Sequence, residues 1–204
     1  FSKSADITLD FYRTDFQNQI VVDVMQNPQE LLFYDLKGKS YANSLQFDFN
    51  YEIIKHFNFR SAYKYFDIST DYLSGSFQRP LQAKHRVFAN LEYETHIAEK
   101  GKQWKFDFTW NWLGKQQLPN TDTNAEQDGF GNTSPSFSVM NAQITRTFSS
   151  VFEIYVGGEN IGNYRQHKAV LGSDNPFGTN FDTSIVYAPI FGQMYYAGLR
   201  FKIK

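Results

Sequence analysis

Large apolar and polar residues take turns along most of this chain. Trp104-Lys105-Phe106-Asp107-Phe108-Thr109-Trp110-Asn111-Trp112 is the clearest case: every even position is a bulky ring and every odd one is Lys, Asp, Thr or Asn. Successive side chains of a β-strand point to opposite faces, so this spacing predicts a strand with one aromatic and one polar face. The same period predicts strands over residues 5–16, 41–51, 57–65, 86–94, 137–148, 152–159 and 191–203, which makes eight in all. Ile7, Leu9 and Phe11 oppose Thr8 and Asp10; Leu45, Phe47, Phe49 and Tyr51 oppose Gln46, Asp48 and Asn50. Phe57, Phe59, Tyr63 and Tyr65 oppose Asn58, Arg60 and Lys64, and Leu199 and Phe201 oppose Arg200 and Lys202. Residues 137–148 alternate least cleanly, because Arg146 falls on the otherwise apolar row of Met140, Ala142, Ile144 and Phe148.

The connections alternate between long and short. Residues 17–40, 67–84, 114–135 and 161–190 are long, whereas the others hold roughly two to eight residues, down to Ser149-Ser150. A β-like run over 19–24 and a turn at Lys37-Gly38 predict a hairpin within the first long connection, standing on a barrel rim. Long loops at one end and tight turns at the other are the arrangement of transmembrane β-barrels, and the strands have the length that crosses a bilayer. The fold class expected is therefore all-β: an antiparallel transmembrane β-barrel whose rings meet lipid and whose charged face lines a lumen. The competing architecture is a soluble barrel or sandwich with the rings inside. A second β layer over those rings, or a helix within 100–115, would favour it. Tyr51, Phe57, Tyr93 and Trp104 toward the short turns, and Tyr63, Tyr65, Trp110 and Trp112 toward the long loops, are expected to form two interfacial girdles.

Composition narrows the function classes. Phe, Tyr and Trp make up 18% of the 204 residues, yet charged residues reach 20%, as alternation requires. The formal net charge of −1, with no basic cluster, argues against nucleic acid as a partner. There is no cysteine, hence no disulfide or thiolate metal site. The opening residues carry no secretory leader, which suggests a processed chain or part of a longer polypeptide.

Several stretches resemble TonB-dependent outer-membrane receptors, near the C-terminal end of their barrels. They are Phe11-Tyr12-Arg13-Thr14-Asp15-Phe16-Gln17-Asn18-Gln19-Ile20; Arg79-Pro80-Leu81-Gln82-Ala83-Lys84-His85-Arg86; Gly158-Glu159-Asn160-Ile161-Gly162-Asn163-Tyr164; and Phe191-Gly192-Gln193-Met194-Tyr195-Tyr196-Ala197-Gly198-Leu199-Arg200-Phe201. They follow the order expected of the family across nearly the whole chain. The resemblance implies the last part of a 22-stranded barrel, with residues 1–204 as a single C-terminal barrel segment. It implies uptake of a scarce metal chelate, cofactor or nutrient oligomer across the bacterial outer membrane. The implied partners are outer-membrane lipid, the remaining strands, a plug domain, the inner-membrane energising complex through TonB, and the barrel-assembly machinery. Neither plug nor TonB box is in this sequence. In the closing strand Gly198, Phe201 and Ile203 fit the family's assembly signal, although Lys204 follows where an aromatic end is usual. The alternative is a self-contained eight-stranded barrel serving as anchor or adhesin. A barrel enzyme is the third reading, and no Ser-His-acid arrangement supports it.

Candidate sites are few. Inward Arg60, Lys64, Arg86, Lys105 and Arg200 are expected to contact a ligand or the plug, against a generic hydrated lumen of mixed charge. His56 and His96 belong to short turns and His85 and His167 to long connections, where solvated histidines are the simpler reading than a metal site. Asp122-Thr123-Asn124-Ala125-Glu126-Gln127-Asp128-Gly129 alternates oxygen ligands but lacks the Gly and Glu that a calcium loop needs at its sixth and twelfth positions. No catalytic, cofactor or metal residue is assigned.

Overall fold

A computed structural model describes residues 5–27, 30–120 and 131–203. Its wall is an antiparallel meander of β1 (Ala5–Phe16), β4 (Ser40–Ile54), β5 (Phe57–Tyr72), β7 (His85–Glu94), β8 (Gln103–Leu113), β9 (Phe137–Ser149), β10 (Phe152–Glu159) and β11 (Met194–Phe201), paired in that order. β2 (Ile20–Asp23) and β3 (Leu32–Asp35) form the hairpin expected in the first long connection, and β6 (Gly75–Gln78) folds back on the end of β5. β5 runs on to Tyr72, past the expected end at residue 65, because β4 and β6 both pair with its upper part. β11 starts at Met194, three residues later than expected. His85 opens β7 and stands in the wall, where its Nδ1 meets the Tyr63 hydroxyl at 2.7 Å; the long connection ends before it. The one helical turn described between residues 99 and 115 is a 3₁₀ turn at Glu99–Gly101 that includes Lys100 at φ +65°, so it is a tight reversal ahead of β8 and leaves the tryptophan strand intact.

The sheet is open. β1 and β11 are its edges, so among the described residues the self-contained eight-stranded barrel has no closing pair.

Register carries the alternation across the whole wall. Phe57, Tyr93, Phe106, Ile144, Val156 and Ala197 are consecutive partners on the outward face, and Asn58, Glu92, Asp107, Gln143, Gly157 and Tyr196 are partners on the inward one. Nothing among the described residues covers the outward rings: Leu9 is 67% exposed, Trp104 42% and Phe201 66%. A soluble sheet would bury such a face, and among the described residues there is no second layer of the kind a sandwich needs. Charge brackets the outward face. At the loop end Arg13 bonds Asp15 at 2.7 and 2.9 Å, and Lys84 lies 3.7 Å from Asp67. At the turn end stands Arg146. Between Asp67 and Phe57 on β5 the outward positions are Tyr65, Tyr63, Ser61 and Phe59. That stretch spans about 30 Å along the strand, or about 23 Å across at the tilt usual in barrels, close to the expected apolar band of about 25 Å.

The buried apolar cluster lies inside the curve of the wall, under the long loops. Phe137 at the loop end of β9 packs with Leu118, Leu171, Ile185, Tyr187 and Ala188, and the Tyr164 ring stacks on Phe137 at 5.0 Å. Side-chain amides sew these loops together where no regular ladder can. Gln166 donates to Ile185 O at 2.6 Å and accepts from the N–H groups of Tyr187 and Ala188. Asn160, at φ +50°, donates to Tyr164 O at 2.7 Å and accepts from Tyr164 N–H at 3.0 Å. Farther out, Leu171 and Asp182 exchange backbone hydrogen bonds of 2.8 and 3.1 Å and close the stem of an exposed loop tip.

Candidate functional site

The inward face is the surface a cargo or a folded plug would meet, and its charges are mostly answered from the neighbouring strand. Arg60 Nη2 lies 3.2 Å from Glu92 Oε2, Lys105 Nζ lies 2.8 Å from Glu94 Oε1, and Arg200 contacts Glu153. Asp107 accepts from Asn90 at 2.9 Å, and Asp48 accepts from Gln46 at 2.8 Å. Pairs this open to water contribute little stability each, so they leave a hydrated, nearly neutral ladder.

Lys64 and Arg86 are different. They face one another directly across β5 and β7, and both cations lie over the Phe66 ring, at 5.0 and 5.7 Å. Among the described residues no carboxylate reaches either one, and Arg86 Nε is buried without a partner. Like charges placed opposite one another repel, and an unanswered buried donor carries a desolvation cost. The pair is therefore a place on this face where an anion would be favoured. Of the five cations singled out from sequence, all share the inward face; three are neutralised and two are not.

Above this pair the loop end holds a cavity of about 760 Å³. The hairpin supplies Ile20, Val21 and Val22; the wall supplies Ala42, Ile68 and Thr70; and Leu81, Pro119 and Ile185 come from the loops. Arg79, Glu30 and Asp182 add charge to its lining. Its size is in the range of small-molecule pockets. The hairpin that forms one side is held by Asp23, fully buried, whose carboxylate accepts from Met25 N–H at 2.9 Å, the Tyr34 hydroxyl at 2.8 Å and the Ser74 hydroxyl at 3.3 Å. Burial first, and the neighbouring Asp23 after it, push the Tyr34 phenol above its ordinary value, although the Leu73 N–H it accepts works the other way. Asn120 N–H donates to Val24 O at 3.1 Å and ties the hairpin to the next loop.

Sequence reasoning missed this cavity, and it missed the amides that sew the loops together, because loop residues follow no period; the one signal for those amides was Asn160 inside the Glu-Asn-Ile passage. His56 and His96 come together, with ring centres 5.6 Å apart, while His167 joins no group able to hold a metal among the described residues. The calcium-like stretch 122–129 lies outside the described residues.

Comparison with known proteins adds to this geometry. The family described as "TonB dependent receptor-like, beta-barrel" matches residues 1–161. No curated protein sequence matches this chain. Among solved structures it is similar to the ferric preacinetobactin receptor of Acinetobacter baumannii, with 13% identity and a TM-score of 0.62, over 98% of this chain and 28% of that one. It is similar to a mutant ferric enterobactin receptor of Pseudomonas aeruginosa, with 12% identity and a TM-score of 0.68, over 98% and 29%. It is also similar to a ferric citrate transporter in its unliganded form, with 16% identity and a TM-score of 0.67, over 98% and 29%. At these identities the likeness shows the fold, and the chain spans less than a third of the length of each.

Proposed function

We propose a function from one premise: the chain belongs to the family of TonB-dependent receptor-like β-barrels, and so to the proteins of the bacterial outer membrane. Our reading is that it forms the C-terminal stretch of a 22-stranded receptor wall and takes part in energised uptake of a scarce ligand. A ferric chelate is the cargo class we favour, since three similar structures are receptors or transporters of such chelates. The open edges of β1 and β11 support this reading. In hydrocarbon every backbone polar group needs a partner, so these edges call for further strands on both sides.

In this scheme the paired charges keep the lumen wet, a plug fills it, and TonB drives the plug from the inner membrane. Lys64 and Arg86 receive a carboxylate or other anionic group from the plug or the cargo, while Arg60, Lys105 and Arg200 mainly hold the wall's own ion pairs. The rim cavity makes first contact with cargo, and no residue is assigned a catalytic role. Gly198, Phe201 and Ile203 serve as the signal that the barrel-assembly machinery reads. The observation that carries the proposal is the combination of bare outward rings with an inner face that carries the wall's paired charges and amides. The test is iron-limited growth and radiolabelled iron uptake in a strain lacking the receptor, complemented or not, across a panel of ferric chelates, with and without functional TonB. Receptor-dependent uptake that stops without TonB is expected. Uptake indifferent to the receptor for every chelate, or indifferent to TonB, would overturn the assignment.

A further inference from the structure

We propose that Arg146 binds the phosphate of a glycerophospholipid in the leaflet at the short-turn end of the barrel. The site concerns the wall and its lipid, so it is independent of the cargo. Outward rings at that end form two runs in contact: Phe57, Tyr93, Phe106 and Trp104 on one side, and Phe148, Phe152 and Phe201 on the other, with centres 5.7 to 6.5 Å apart. Arg146 is the link between them. Its guanidinium carbon lies 4.8 Å from the Trp104 ring and 5.7 Å from the Phe148 ring.

Three observations point to phosphate. The two outward cations at the loop end, Arg13 and Lys84, each have a carboxylate, whereas among the described residues Arg146 has none. Arg146 is three residues from the end of β9, about 10 Å along the strand, so its side chain can rise from the apolar band to the headgroups. Ring faces hold the planar guanidinium and leave its N–H edge free, and that fork matches two phosphate oxygens at once. A lone outward Arg is costly at the bilayer midplane, a cost that fades toward the interface where headgroup phosphates lie.

The experiment uses the full-length receptor that contains this chain, titrated in detergent with phosphatidylglycerol, or with digalactosyl diacylglycerol, which has no phosphate, and read by native mass spectrometry. The wild type should retain phosphatidylglycerol about fivefold better than Arg146→Gln, which corresponds to about 1 kcal/mol. Arg146→Lys should fall between them, and the galactolipid should not distinguish the three. Equal phospholipid retention by the wild type and Arg146→Gln overturns the site, and so does an equal preference for the galactolipid. Heat-shifted gel migration shows whether each variant is folded. Should Arg146→Gln not fold, Arg146→Lys carries the test: weaker retention than the wild type is expected, and unchanged retention overturns it.

Discussion

The Tyr34 hydroxyl accepts from the Leu73 N–H at 2.9 Å and donates to buried Asp23, so one oxygen joins two hairpins. Asp23→Ala would strand several donors at once and should loosen the β2–β3 hairpin by about 3 kcal/mol, read by a fluorophore at exposed Phe33. Because the folded-state value of Tyr34 is raised, its contribution is complete below about pH 10 and is lost as pH climbs through that raised value. The fluorophore should therefore report an alkaline transition that Tyr34→Phe abolishes. A second pair of residues sets a steric rule. Gly157 and Gly198 lie on the inward face beneath Tyr196 and Tyr155, and a Cβ at either would clash with the covering ring. Gly198→Ala should cost about 1–3 kcal/mol in denaturant unfolding from micelles, and Tyr155→Ala in the same chain should recover much of it. Sequence alone placed Lys64, Arg86, Arg60, Lys105 and Arg200 on one face, since parity suffices for that. Which of them lack a carboxylate depends on cross-strand register, and that no single strand contains.

At the scale of elements, alternation was legible wherever the two faces of a strand meet different solvents. The run from Trp104 to Trp112 and the first strand fall where their patterns put them. The upper half of β5 was not legible: Asp67, Ser69 and Asp71 follow on the outward parity, so above the apolar band the outward face turns polar while Ile68 and Thr70 face the rim cavity, and no apolar-outward period of two survives. The same reasoning explains the rim, where Gln116 and Gln166 satisfy backbone groups that strands satisfy by pairing. Hydrogen exchange in micelles should therefore find β4, β5 and β7 slowest and the loop segments at 161–193 faster, as expected of backbone held by isolated side-chain bonds. The closing strand makes its own prediction. Phe201→Ser removes an outward ring from β11 and should lower the amount of receptor assembled in the outer membrane several-fold, measured by fractionation and gel migration, without altering transcript level.

For the whole molecule, what matters is that apolar surface is divided between two places. Most of it faces outward along the wall, and a small enclosed share sits beneath the loops around Phe137 and Tyr187. Replacing Lys64 and Arg86 together by Gln should leave that architecture intact, because among the described residues neither holds an ion pair, while lowering receptor-dependent iron uptake about tenfold or more if an anionic group docks there. Uptake equal to the wild type would return the pair to the generic hydrated lumen. The pinched stem at Leu171 and Asp182 has a practical side. With its two legs already fastened, the tip beyond them, where Phe177 is wholly exposed, transmits little of its own shape to the wall. A short epitope spliced in next to Phe177 should be displayed on intact cells and be bound by antibody from the medium, which would make this bend a handle for tagging living bacteria.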